Sequence, residues 1–196
     1  MTGENWFVVA FLGVVLLERA VATFRHRGIV PGRQQMQWSL YALFGSYVLI
    51  VGGSLTEHFV THRPLVVWVS VVGVLAYAGS VAIREVAIGT LGRMWSLQIE
   101  IREGHQLVRN GIYAYVRHPN YAAIVLEALS IPVVVSAWCT LGLALVTLIP
   151  VLLLRLRSEE LALTEKFGDQ YRTYQQEVGA LVPRWSALLK ARKRRP

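Results

Sequence analysis

The sequence predicts an all-α, polytopic integral membrane protein, a single domain over residues 1–196 with about five transmembrane helices. Three observations carry that prediction. Hydrophobic residues make up 54% of the chain and charged residues only 16%, against about 25% charged in an ordinary soluble domain. The apolar residues gather in long, nearly uncharged runs, with none of the sustained alternation of a membrane barrel. The basic residues outnumber the acidic ones by 20 to 12 and cluster in one set of loops. This composition excludes a disordered chain. It also speaks against a nucleic-acid partner, because the basic residues are not interleaved with a water-soluble fold. The single cysteine, Cys139, excludes an internal disulfide framework or a Cys-rich metal site.

Each element follows from its run of residues. The first predicted span, 6–24, is apolar apart from Glu18 and Arg19; the second, 38–55, and the third, 65–83, carry no charge. The first lacks the basic start and small-residue cleavage site of a secretory signal and is read as a span. From Ala122 to Leu154 the only charge is Glu127. A single helix of that length would measure about 50 Å, too long for a ~30 Å hydrocarbon core. A helical hairpin is expected instead, with spans 121–137 and 138–154 and a break near Ser136-Ala137-Trp138. Pro132 and Pro150 would kink its arms, which neighbouring helices accommodate in a membrane. Eighteen of the twenty Lys and Arg residues fall in the first loop, in Arg84–Arg117 and in the chain from Arg155 onward. By the positive-inside rule these face the cytoplasm and the N-terminus lies outside. The basic tail Lys190–Arg195 reads as an anchor on anionic lipid.

Any chemistry must therefore sit in two polar segments, 84–120 and 155–185. The first holds Leu107-Val108, the turn signal Asn110-Gly111 followed by Ile112-Tyr113, and Arg117-His118-Pro119-Asn120-Tyr121. His118 precedes a proline and is biased to an extended backbone, and Pro119 suits the first turn of the next helix. The second holds Arg155, Arg157, Glu159, Glu160, then Gly168 as a helix-ending glycine, with Tyr171 and Tyr174 opening the next helix. Arg155 with Glu159, and Arg157 with Glu160, are spaced to share helix faces. Read blandly, these are surface salt bridges; read functionally, they hold a zwitterionic or cationic ligand at the membrane interface. Elsewhere, Glu127 within a span is a functional candidate, and Glu18-Arg19 are expected to pair with polar groups inside the bundle. His58 and His62 are four apart but lack a third ligand, so no metal is expected. Trp95 is kept as a possible wall of the site and His105 as a loop histidine.

The run Arg117–Tyr121, preceded by Leu107-Val108 and Gly111-Ile112-Tyr113, resembles the signature of the isoprenylcysteine carboxyl methyltransferase family. Glu159-Glu160, Phe167-Gly168, Tyr171, Tyr174 and Pro183 resemble that family's C-terminal motif. Together the two span about half the chain. Asn120–Glu127 and Trp138 look closer to bacterial members that accompany type III polyketide synthases and methylate alkylpyrone-type hydroxyls. The resemblance implies a helical membrane fold with a cytoplasmic pocket for S-adenosyl-L-methionine and a lipophilic acceptor arriving from the bilayer. Carried over residue by residue, Leu107, Val108, Gly111, Ile112, Tyr113, Arg117, His118, Pro119 and Tyr121 would line the cofactor. Glu159 and Glu160 would hold its ribose hydroxyls or ammonium, and Arg155 matches the arginine near the reacting centre. The chain departs from the family at Ile112, where proline is frequent, and at Ala123, where glycine is common. An NADPH-dependent membrane reductase is the alternative, since sterol reductases share a similar Arg-His-Pro-Asn-Tyr run.

An anionic oxygen attacking a sulfonium neutralises charge on the way to the transition state, so a dry site favours it. A carboxylate or an ionised enol needs no general base, only orientation by an arginine. A neutral hydroxyl would need a base, for which His118 or a glutamate is the candidate; Arg155, to orient the nucleophile, and Glu159 are the expected catalytic residues.

Overall fold

The computed structural model describes residues 2–25, 33–35, 37–92, 99–101 and 107–184. The helices are α1 (Gly3–Arg25), α2 (Gln37–Thr61), α3 (Val67–Leu91), α4 (Pro119–Val134), α5 (Trp138–Phe167) and α6 (Asp169–Glu177). A short 3-10 turn occupies Gly111–Ala114. Two three-residue strands, β1 (Arg33–Gln35) and β2 (Ile99–Ile101), pair antiparallel with Gln34 opposite Glu100. The fold is thus the expected all-α membrane fold, with one small ribbon that the sequence did not announce. Trp95, His105 and the Lys190–Arg195 tail lie outside the described residues.

Among the described residues, four helices are long and apolar enough to cross a membrane: Gly3–Ala22, Trp38–Thr61, Val67–Leu91 and Trp138–Phe167. α4, with 16 residues, is the shorter apolar helix; at ~1.5 Å per residue it rises about 24 Å. The hairpin breaks where Ser136 adopts φ +58°, and α5 begins at Trp138. α5 is 30 residues long, running past the predicted end of the span at 154 to Phe167, with Gly168 closing it as expected. That length is about 45 Å, so its last turns carry Arg155, Glu159 and Glu160 to the edge of a ~30 Å core. Likewise α3 runs past residue 83, which places Arg84 inside a helix rather than in a loop.

Small residues set the packing, as expected where lipid supplies no hydrophobic drive between helices. A Cβ on Gly73 of α3 would come within 2.7 Å of the Val134 side chain and 3.0 Å of its backbone nitrogen. At the same crossing Ser70 Oγ donates to the Val134 carbonyl at 2.7 Å. α5 is tied to α2 at its first turn: the Thr140 amide and hydroxyl and the Cys139 amide all donate to the Glu57 carboxylate. A carboxylate at a helix N-terminus satisfies amides that have no partner within the helix. Trp68, Val60 and Val146 remain strongly exposed, as lipid-facing side chains do.

α1 is held by charge within the bundle. Glu127 of α4 is fully buried and accepts from Arg84 Nη1 at 2.6 Å, from Arg19 Nη2, and from the Tyr47 hydroxyl at 3.2 Å. Arg84 also bonds Glu18, and the Arg19 guanidinium lies 4.9 Å above the Tyr47 ring centre. Two acids and two bases thus neutralise one another between α1, α3 and α4.

Candidate functional site

The two polar segments meet at the foot of α4 and α5. Val116 forms a parallel bridge with Gly179, and the Arg117 and His118 amides donate to the carbonyls of Gly179 and Ala180, both at 2.9 Å. The chain after α6 is therefore laid along the Arg117-His118 strand by backbone bonds. Pro119 occupies the first turn of α4, where its missing amide costs nothing. His118 thereby sits at the helix entrance with its ring directed at α5.

Glu160 gathers the cations. One of its oxygens accepts from Arg117 Nε at 3.0 Å and Nη2 at 2.5 Å, and from the His118 Nε2 side at 3.2 Å. Arg117 Nη1 reaches on to the carbonyls of Gln175, at 3.0 Å, and Val178. Glu159 stands on the other side of the imidazole, 3.6 Å from Nδ1, and accepts from the Tyr121 hydroxyl at 2.6 Å. The His118 and Tyr121 rings stack at 5.7 Å. Tyr171 brings its hydroxyl to 3.5 Å from His118 Nε2. Burial of His118 would lower its pKa, but hydrogen bonds and charge from Glu159 and Glu160 outweigh burial and raise it to about 9. The imidazole is accordingly a cation near neutral pH.

Arg155 is buried and donates through Nη1 to Ser39 Oγ of α2 at 2.7 Å. It also bears electrostatically on Tyr121 and Glu159. The expected helix-face partner of Glu160, Arg157, yields to Arg117 and His118.

The segment 107–113 closes the other side. Gly111 adopts φ +56°, and a Cβ there would sit 3.1 Å from Thr90. Tyr113 is buried, its hydroxyl 3.5 Å from the Ala87 carbonyl; burial raises its pKa. Its own carbonyl accepts from the Tyr174 hydroxyl at 2.5 Å. Leu107 packs on Tyr171, Tyr174 and Val178, and Arg109 both pairs with Glu177 and covers the Tyr174 ring. Val108 and Ile112 are half-buried, and the Ile112 carbonyl accepts the amides of Tyr115 and Val116.

The structure thus brings Arg117, His118, Pro119, Tyr121, Arg155, Glu159 and Glu160 together, with 107–113 anchored beside them through α6. Ser39 and the carbonyls of Gln175 and Val178 were not anticipated. Ser39 lies in an uncharged apolar run that gives no signal. Glu127 and the Glu18-Arg19 pair belong to the separate charge cluster deeper in the bundle.

The isoprenylcysteine carboxyl methyltransferase (ICMT) family model matches residues 72–165, which covers α3 from its second turn, α4 and most of α5. An uncharacterized Bacillus subtilis protein, YpbQ, is 38% identical over 47% of this chain and 56% of its own length. A probable protein-S-isoprenylcysteine O-methyltransferase of rice (Oryza sativa subsp. indica) is 29% identical over 78% of this chain and 83% of its own. The human protein-S-isoprenylcysteine O-methyltransferase is 30% identical over 60% of this chain and 42% of its own. Among solved structures, the eukaryotic intramembrane Ras methyltransferase ICMT superposes with a TM-score of 0.65 at 21% identity. That superposition covers 93% of this chain and 68% of the other, a likeness of fold. Over residues 72–165, the segment that carries most of the site, this chain is thus similar to the isoprenylcysteine carboxyl methyltransferase family, and it shares the fold of the solved ICMT.

Proposed function

We propose that the protein is an integral membrane, S-adenosyl-L-methionine-dependent methyltransferase. It transfers a methyl group to an oxygen of a lipophilic acceptor, a prenylcysteine-like carboxylate or an acidic enol of the alkylpyrone type. The observation that carries this reading is the Glu159–Glu160 pair, held on both sides of one imidazole and backed by Arg117 and Tyr121. The carboxylate side chains are 33% and 22% exposed. Each keeps acceptor capacity beyond its protein partners. Such a donor-poor, acceptor-rich rim suits ribose hydroxyls and an ammonium group, so the residues present fit the cofactor.

Glu159 and Glu160 would hold those polar groups, with His118, Pro119 and Tyr121 beneath and 107–113 at the side. When bound, the cofactor supplies an electrophilic methyl on a sulfonium. Arg155 is the group placed to orient the acceptor oxygen by charge-assisted hydrogen bonds. His118, protonated and clamped by two carboxylates, is poorly suited to take a proton, which agrees with an acceptor that arrives already ionised. Exclusion of water by the buried Tyr113, Tyr121 and Tyr171 strengthens each of these electrostatic contacts. The catalytic side faces the cytoplasm and the N-terminus lies outside, on the distribution of Lys and Arg.

Calorimetric titration of S-adenosylhomocysteine into detergent-purified protein, with NADPH in parallel, tests the reading. Binding of the homocysteine nucleoside alone supports it. Binding of NADPH alone overturns it in favour of a reductase.

A further inference from the structure

Arg155 needs an explanation for where its guanidinium points. It stands on α5 at the level of Tyr121, is 3% exposed, and carries its charge among apolar helices. A flexible side chain with several rotatable bonds orients nothing unless its own direction is fixed. Ser39 supplies that constraint from another helix. It lies in the first turn of α2, is itself 0% exposed, and its Oγ accepts from Arg155 Nη1 at 2.7 Å. Near it, the Tyr121 hydroxyl, on which Arg155 bears electrostatically, donates to Glu159 at 2.6 Å. The Ser39–Arg155 bond thus ties α2 to α5 beside the Tyr121–Glu159 bond that ties α4 to α5.

We propose that Ser39 is a positioning residue, fixing the Arg155 guanidinium toward the acceptor oxygen from a helix outside both sequence motifs. The proposal rests on the methyltransferase reading for its kinetic consequence, but the contact itself can be read without turnover. A hydroxyl can serve because it accepts from the guanidinium and can pass its own proton elsewhere. Alanine removes this acceptor from the guanidinium, whereas threonine keeps the oxygen.

The test uses the full chain in detergent micelles or nanodiscs, with Ser39→Ala, Ser39→Thr and Arg155→Ala variants. A farnesylated cysteine with a free carboxylate is the acceptor probe. For Ser39→Ala we expect kcat to fall about tenfold, the scale of a lost hydrogen bond to a charged group. S-adenosylhomocysteine affinity should stay within about twofold, and Ser39→Thr should recover most of the rate. A parallel fall in cofactor affinity, rate and melting temperature would assign Ser39 a structural role and overturn the proposal. So would an unchanged kcat in Ser39→Ala beside a collapsed rate in Arg155→Ala. The second measurement is 15N NMR of the arginine side chains, with Arg155 assigned by its loss in Arg155→Ala. Rotation of its Nη groups should be hindered in the wild type and Ser39→Thr and distinctly faster in Ser39→Ala. Equal rotation in all three overturns the proposal even if this acceptor is never methylated; failure of the wild type to bind S-adenosylhomocysteine sinks the methyltransferase reading instead.

Discussion

Arg117 and Glu160 are joined by two guanidinium nitrogens on a single carboxylate oxygen, although they lie 43 residues apart. The pair does more than neutralise charge, because the remaining Arg117 nitrogen holds the carbonyls of Gln175 and Val178. One side chain thus fastens α6 and the chain after it to the foot of α5. Arg117→Ala should lower stability by about 3 kcal/mol, the range for a pair largely removed from water that loses one partner. Arg117→Lys should recover little, since a point charge cannot serve Glu160 and two carbonyls from one plane. Thermal unfolding of the purified variants, read beside S-adenosylhomocysteine affinity, checks both; a wild-type melting temperature in Arg117→Ala contradicts this role.

The raised pKa of His118 fixes the sign of a pH dependence. Burial opposes its charge, but the two glutamates prevail and hold the folded value at about 9, against about 6.5 in an unfolded chain. Stability from the charged imidazole is therefore fully present below pH 6.5. It is lost as the pH rises toward and through 9. The full effect is about 3 kcal/mol. Melting temperature should fall across that window, and His118→Gln should remove most of the slope. A slope that persists in His118→Gln assigns the effect to other groups.

The deeper charge cluster makes a different prediction. Glu127 is the shared partner of Arg19 and Arg84, so its removal leaves two guanidinium groups facing each other within the bundle. Glu127→Ala should cost about 3–5 kcal/mol and reduce the yield of monodisperse protein. The double variant Glu127→Ala with Arg84→Met should recover part of the loss, because a buried cation no longer stands uncompensated. Size-exclusion profiles and melting curves decide; no recovery in the double variant would mean that Arg84 finds its compensation in Glu18.

How much of this was legible in the sequence depends on the kind of signal. The hairpin break at Ser136–Trp138 follows from length alone, because 33 apolar residues cannot lie in one span. Gly111 and Gly168 were readable as turn and helix-end glycines, and both adopt positive φ. What hydropathy misplaced was the end of the span, put at 154 where polarity rises, while the helix runs on to Phe167 with its polar turns packed on Arg117, His118 and Tyr121. Arg84 was hidden for the same reason in reverse, as a charge at the end of an apolar run. A charge count within the spans could have found it: Glu18, Arg19 and Glu127 leave one acid without a base. Ser39 and the Gln175 and Val178 carbonyls carry no sequence signal at all, since any serine or peptide group looks the same until helices from distant parts of the chain are brought together.

Gly111 offers the sharpest test of the 107–113 segment. Its φ of +56° disfavours any side chain, and Thr90 atoms lie 3.1 and 3.2 Å from where a Cβ would be. Thr90 is itself fixed, donating to the Val86 carbonyl at 2.7 Å, so it has little freedom to withdraw. Alanine at this position pays the left-handed backbone cost of about 1 kcal/mol and must also push α3 or the turn aside. The next residues, Ile112 and Tyr113, would move with it, and Tyr113 is bound from both ends by Ala87 and Tyr174. Gly111→Ala should therefore weaken S-adenosylhomocysteine binding about tenfold, the equivalent of about 1.4 kcal/mol, while Tyr174→Phe, which removes one hydrogen bond without strain, weakens it less. Calorimetry on the two variants measures the difference. Equal, wild-type affinity in both would place the cofactor away from residues 107–113.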